Sequence, residues 1–204
     1  MVFAVIFFYV FSAWNTASNL KLGRKMKNKN FIEVKLKLYL LFLKNLLMKI
    51  RKATKKDLPE IVEISKGLLD YHVQFAKYYA PVKNSKERKK HHRKYFGKMI
   101  KARNSKMWVA DDGKVIGYAI AKIIKNPPVL KEKHHGDITE VYIISKYRGR
   151  GIAGKLIKEA LSWFKKREIK RVVVIFDTRN KAAKKAYKKA GFRPFQEKHE
   201  LYLK

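Results

Sequence analysis

One ten-residue segment limits what this chain can become: Tyr147–Leu156, YRGRGIAGKL, set between an apolar strand-like run and an amphipathic helix pattern. Its three glycines let the backbone curl so that successive N–H groups point into one concavity, and the helix that follows adds the positive end of its dipole. Arg148 and Arg150 place fixed charge beside that concavity, which makes it a site for a phosphate compound; the plainer alternative is a tight turn with no ligand. Gly149, Gly154 and Lys155 satisfy G-x-x-x-x-G-K, but Leu156 stands where a nucleoside-triphosphate loop needs Ser or Thr to hold magnesium. Gly149, Gly151 and Gly154 also satisfy G-x-G-x-x-G, with Asp177 ending the next strand where a ribose-binding acid would sit. Against a dinucleotide domain, Ser145–Arg148 separate the strand from the first glycine, and only 27 residues follow Asp177, too few for another strand-helix-strand unit.

Around this segment the patterning runs in a definite order. A short strand after Met48 leads to Asp57 as helix N-cap, with Pro59 in the first turn and helical periodicity from Leu58 to about Tyr79. A second, basic helix is predicted over Ser85–Ala102. Met107–Ala110, the Asp-Asp-Gly turn at Asp111–Gly113 and Lys114–Ile124 read as an antiparallel hairpin, which Asn126, Pro127 and Pro128 end. A third strand follows at Asp137–Ile144, then a helix at Ile152–Lys166, a buried strand at Arg171–Phe176, a helix at Lys181–Ala190 and a closing strand at Phe195–Leu203. Strands alternate with helices only in the second half, so the expected class is α/β, with a mixed, mostly antiparallel central sheet flanked by helices.

With 204 residues, 47% of them hydrophobic and 13% aromatic, the chain can bury a core. It has no cysteine, which removes disulfides, thiolate metal sites and cysteine nucleophiles. The 50 Lys and Arg against 16 Asp and Glu give a formal charge of +34, a field that attracts phosphates, nucleic acid or an anionic membrane. Lysine richness without cysteine also hints at a hot-adapted intracellular protein, although such proteins usually match Lys with Glu. Residues 1–47 differ from the rest: Val2–Trp14 is apolar, Asn15–Asn30 is polar and basic, and Met48 opens a natural protein start. The apolar run is about 20 Å long as a helix, short of a ~30 Å hydrocarbon core. This leaves two accounts of residues 1–47, a mis-chosen start codon or a membrane-associating extension; residues 48–204 form the domain.

The segment from Tyr147 to Leu156 has a third reading that absorbs more residues. R/Q-x-x-G-x-G/A after a strand is present as Arg148, Gly151 and Ala153, preceded by GDITEVYIISKY. Downstream, NKAAKKAYKKAGF at Asn180–Phe192 supplies an asparagine, a helix tyrosine and a terminal Gly-Phe. Together the two motifs make residues 48–204 resemble the GNAT superfamily of N-acetyltransferases, and the Ile116–Ile120 strand and the Asn-Pro-Pro before the central strand agree. The resemblance implies a GNAT-like fold and transfer of an acetyl group from acetyl-CoA, as co-substrate, to a primary amine, with no metal required. The acceptor is a small molecule or a protein amine. It implies that Arg148, Gly149, Arg150, Gly151, Ile152, Ala153, Gly154 and Lys155 hold the pyrophosphate. It places the pantetheine arm along Val141, Tyr142 and Ile143, with an N–H at the strand end facing the thioester oxygen. Homodimers are common in that family, which keeps a homodimer open here.

Roles beyond the loop carry structural alternatives. Tyr187 is the candidate general acid, although Ala183, Ala186, Tyr187 and Ala190 share a helix face and packing alone would explain it. Asn180 contacts the cofactor or caps the last helix. Glu140 shares a strand face with Tyr142 and is the candidate base, with an ion pair to a lysine as the alternative. His91-His92 and His134-His135 are adjacent pairs whose side chains diverge, a poor chelating geometry, so no metal is expected. The acceptor pocket is expected from helices between Leu58 and Ala102, Tyr71–Tyr79 included. Without residues 1–47 the domain keeps 42 basic and 15 acidic residues, or +27. A solvated lysine surface is the simpler account of that charge; the rival is an RNA- or ribosome-associated protein with weak or no catalysis. The expected location is the cytoplasm, with membrane contact only through residues 1–47.

Overall fold

The computed structural model describes residues 48–75 and 85–201; the expectations for residues 1–47, for 76–84 and for 202–204 lie outside the described residues. Five strands form one sheet in chain order: β1 Lys49–Lys52, β2 Ser105–Asp111, β3 Val115–Lys125, β4 His134–Ile143 and β5 Val172–Val173. Neighbours from β1 to β4 are antiparallel and β4–β5 is parallel, which bears out the mixed, mostly antiparallel α/β class. Helices α1 Leu58–Val73 and α2 Ser85–Lys101 cover one face. Helix α3 Ile152–Lys166 covers the other, and α4 Lys181–Lys189 follows β5. Among the described residues no helix is long and apolar enough to cross a membrane.

Each layer follows from sequence spacing. On α3 the buried residues Ile152, Leu156, Ile157, Ala160, Trp163 and Phe164 recur at helical intervals and meet Ile116, Ala119, Ala121 and Ile138. On the opposite face, Ile61 and Val62 of α1 and Phe96 and Met99 of α2 pack on Val109, Tyr118, Ile120 and Tyr142. Phe164 is fully buried and lies so close to Gly136 that an added Cβ would sit 2.7 Å from its ring. Removing a ring in that position typically costs 3–5 kcal/mol.

Four local expectations are qualified or revised. Asp57 occupies the N-cap position of α1, as expected, but makes no side-chain cap bond: its carboxylate accepts from Arg51 at 2.7 and 2.9 Å and from the Thr54 N–H at 2.7 Å, bracing a short 3-10 turn. A charge-assisted bidentate pair outcompetes a neutral cap bond. Helix α1 ends at Val73 rather than continuing toward Tyr79. The strand expected over Arg171–Phe176 pairs only at Val172 and Val173, and Ile175 is 80% exposed rather than buried. No strand forms over Phe195–Leu201, the described part of the expected closing strand.

β4 carries the decisive irregularity. Glu140 pairs with Ile120 but Ile138 pairs with Ala121, so Thr139 is an extra residue, a β-bulge. It returns Ile138 to the α3 side while Glu140 and Tyr142 face α1 and α2. Beyond the bulge β4 parts from β5, whose pairing covers only Gly136 and Asp137 on β4.

Candidate active site

The parting of β4 and β5 opens a notch in the sheet. The Ile144 N–H donates to Ile116 on β3 at 3.0 Å. By period-2 alternation the N–H groups of Val141 and Ile143 point the other way, into the notch. Val141, Tyr142 and Ile143 therefore form an edge with hydrogen-bonding capacity and no strand partner on that side among the described residues.

At the end of β4 a 3-10 turn, Ser145–Tyr147, delivers the glycine segment. Gly149 and Gly151 adopt φ of +78° and +75°, left-handed conformations that an L side chain resists. The Arg148 N–H donates to Ser145 O at 3.1 Å and the Lys155 N–H to Gly151 O at 3.2 Å. Between them, no backbone N–H of Gly149, Arg150, Gly151, Ile152, Ala153 or Gly154 has an acceptor among the described residues. Six consecutive donors thus open onto the N-terminus of α3, whose first turn contains no acid. Nothing lies within 4 Å of a Cβ built on Gly149, Gly151 or Gly154, so the cradle is open, and it fits a diphosphate by its donors and its charge.

The arginines are placed differently from one another. The Arg148 guanidinium turns back to the end of β4, where Nε donates to Ile143 O at 3.0 Å and the group lies 4.4 Å from the Tyr71 ring centroid and 5.7 Å from that of Tyr142. Arg150 stands over Tyr147 at 4.9 Å and donates to Lys146 O at 3.2 Å. Asn180 does cap α4, its Oδ1 accepting from the Ala183 N–H at 3.0 Å. The same oxygen accepts from the Tyr71 hydroxyl at 3.3 Å, which ties α1 to α4 across the notch.

Glu140 is not in an ion pair with a lysine among the described residues. Its Oε2 accepts from the Tyr118 hydroxyl at 2.8 Å, and the Tyr95 side chain of α2 lies near it. Burial pushes the Glu140 carboxyl above the usual carboxylate range, although both tyrosines and nearby Lys122 pull the other way. Neither tyrosine was legible as a partner in the sequence: Tyr118 reaches Glu140 only through the β3–β4 register, and Tyr95 only through the seating of α2. Tyr142 lies against α1, where a Cβ on Gly67 would meet its hydroxyl.

Tyr187 sits across the sheet from Glu140, 7% exposed, with its ring stacked on Phe176 at 5.5 Å and edge-on to Phe192 at 5.5 Å. Burial, with a smaller effect of Asp137, pushes its phenol well above the usual range. Its hydroxyl makes no hydrogen bond among the described residues, so packing holds the ring while the oxygen is uncommitted. Three of the four paired histidines have partners of their own: His92 bonds Ser65 Oγ at 2.7 Å, His91 approaches Glu87 at 3.7 Å, and His135 bonds Asn126 at 2.5 Å. No group of three or more metal-ligating side chains occurs among the described residues.

Comparison with known proteins shows the family and the fold. Residues 71–192 match the model of the acetyltransferase (GNAT) family. An uncharacterized N-acetyltransferase of Methanocaldococcus jannaschii is 30% identical over 146 residues, which cover 70% of this chain and 59% of that protein. The chain thus spans less than two thirds of that relative's length. A predicted acetyltransferase of Clostridium acetobutylicum, solved with acetyl-CoA, superposes with a TM-score of 0.61 at 26% identity over 76% of this chain and 96% of that one. The aminoglycoside N-acetyltransferase AAC(6')-Iy, solved in complex with CoA, shares the fold, with a TM-score of 0.59 at 21% identity over 77% of this chain and 94% of that one.

Proposed function

The chain belongs to the acetyltransferase (GNAT) family, and from that premise we propose that it transfers the acetyl group of acetyl-CoA to a primary amine. The observation that carries the reading is the row of six unpaired N–H groups from Gly149 to Gly154 at the head of α3. Bound there, acetyl-CoA supplies an acyl group activated as a thioester. The N–H row and the α3 dipole hold the diphosphate, with Lys155 and Arg150 adding positive charge. The free edge at Val141–Ile143 holds the pantetheine arm, and the Ile143 N–H polarises the thioester carbonyl. Asn180 and Tyr187 line the α4 side of the notch.

Base and acid approach the notch from opposite faces of the sheet. Glu140, on the α1/α2 side, takes a proton from the acceptor ammonium, directly or through water, and its raised affinity for protons suits it to the task. Tyr187, on the α3 side, keeps its proton through neutral pH and donates it to the leaving sulfur as the C–N bond forms and the C–S bond breaks, while the second proton of the new amide nitrogen passes through water to the phenolate. Tyr71, stacked against Arg148 and tied to Asn180, forms the acceptor-side wall.

Calorimetric titration of acetyl-CoA into the full chain, with NADH and ATP as controls, tests the reading. Selective micromolar binding that Gly151→Val abolishes is expected, because a β-branched residue cannot hold φ near +75° without strain. A folded protein that ignores acetyl-CoA, or that binds ATP equally well, overturns it.

A further inference from the structure

Helix α2 contributes little to the notch beyond Tyr95, yet eight of its 17 residues are Lys or Arg and one is acidic. Phe96 and Met99 anchor its inner face in the core. Lys90, Arg93, Lys94, Lys98 and Lys101 are exposed along its outer face, and none takes part in an ion pair among the described residues. Successive cations at i, i+4 advance about 6 Å along the axis, forming a continuous positive stripe rather than scattered charges. Gly97 lies at its centre. A glycine inside a helix is unfavourable relative to alanine, and packing does not require this one, since a Cβ there would meet only Leu58 at an ordinary 4.0 Å. Its bare backbone instead floors an open groove of about 530 Å³ walled by Arg93, Lys94, Lys98 and Lys101.

We infer that this stripe is a docking surface for the phosphate backbone of RNA. A row of cations without apolar or aromatic anchors is unlike the centre of a protein interface, where lysine is depleted, and suits phosphate contacts that position without reading sequence. An anionic membrane is the weaker fit: an interfacial helix inserts its apolar face into lipid, and the apolar face of α2 is buried in the core. Duplex DNA is also the weaker fit, because Lys90, Arg93, Lys94, Lys98 and Lys101 include no Asn or Gln to read adenine edges in a major groove, whereas folded RNA is bound largely by shape and backbone.

The test uses the full chain, a fluorescein-labelled RNA hairpin of about 16 base pairs, the equivalent DNA duplex and phosphatidylserine vesicles, each across a salt series. Lys94→Gln/Lys98→Gln/Lys101→Gln is expected to weaken RNA binding at least tenfold at low salt and to reduce the slope of log affinity against log salt by about 2. The same number of changes on the other layer, Lys158→Gln/Lys165→Gln/Lys166→Gln, should leave both within twofold. Gly97→Leu, which fills the groove and keeps every cation, should weaken binding several-fold without lowering the melting temperature. Acetyl transfer should be unchanged in all three variants. Equal losses from the two triple variants, an unaffected Gly97→Leu protein, tighter binding to the DNA duplex, or binding to vesicles alone would each overturn the proposal.

Discussion

Glu140 illustrates how a single residue acquires chemistry from its neighbours. The sequence places it on a strand beside the glycine segment, but two tyrosine hydroxyls and burial set its proton affinity. Because burial raises the folded-state value, Glu140 is protonated at a higher pH than an ordinary carboxylate, and a base is lost once protonated. The acid limb of kcat/KM should therefore lie above the ordinary glutamate range, and Glu140→Gln should lower kcat/KM by roughly 10²–10⁴ and remove that limb. A limb that survives in Glu140→Gln would assign it to another group. Tyr187→Phe keeps the stack on Phe176, so it should reduce kcat by about 10² with little change in KM or melting temperature; a fall in stability with kcat intact would return Tyr187 to a packing role.

At the scale of elements, strand β4 decides the site. Its bulge at Thr139 lets one strand serve two faces, Ile138 packing under α3 while Glu140 and Tyr142 look toward α1 and α2. Deleting Thr139 should close the bulge while Ile138 stays opposite Ala121 and Glu140 opposite Ile120, so every side chain keeps its face and β4 loses only its local bend and twist. The expected result is a loss of only about 1 kcal/mol in chemical denaturation, with acetyl-CoA binding weakened at least tenfold because the straightened β4 no longer parts from β5 in the same way. Thr139→Ala keeps the residue count and should be mild, since the hydroxyl makes only a 3.4 Å bond to Ile120 O. Unchanged acetyl-CoA binding by the deletion variant would mean that the bulge does not open the notch. The glycine segment before α3 was legible because its demand is local: positive φ at Gly149 and Gly151 and a helix start are written in adjacent residues. The shortness of β5 was not, because Arg171–Phe176 has the composition of a buried strand and only the departure of β4 leaves Ile175 uncovered.

The whole molecule carries +34, and self-repulsion of that size opposes compaction. Raising salt from about 0.02 to 0.5 M shortens the Debye length to a few ångströms, so the melting temperature should climb by several degrees; a flat or falling profile would show that the cations are already locally compensated. Most of the architecture followed from sequence alone: the mixed sheet, the bounds of α3, the basic α2 and the cradle at Gly149–Gly154 rest on periodicity and on backbone demands within a few neighbouring residues. Tertiary structure alone decided what lies across space. The pairing of Tyr118 and Tyr95 with Glu140, the tie from Tyr71 to Asn180, the return of Arg148 to Ile143 and the notch itself join residues up to 109 positions apart. Local propensity carries no information about such distances; register, a bulge and the seating of helices on a sheet do.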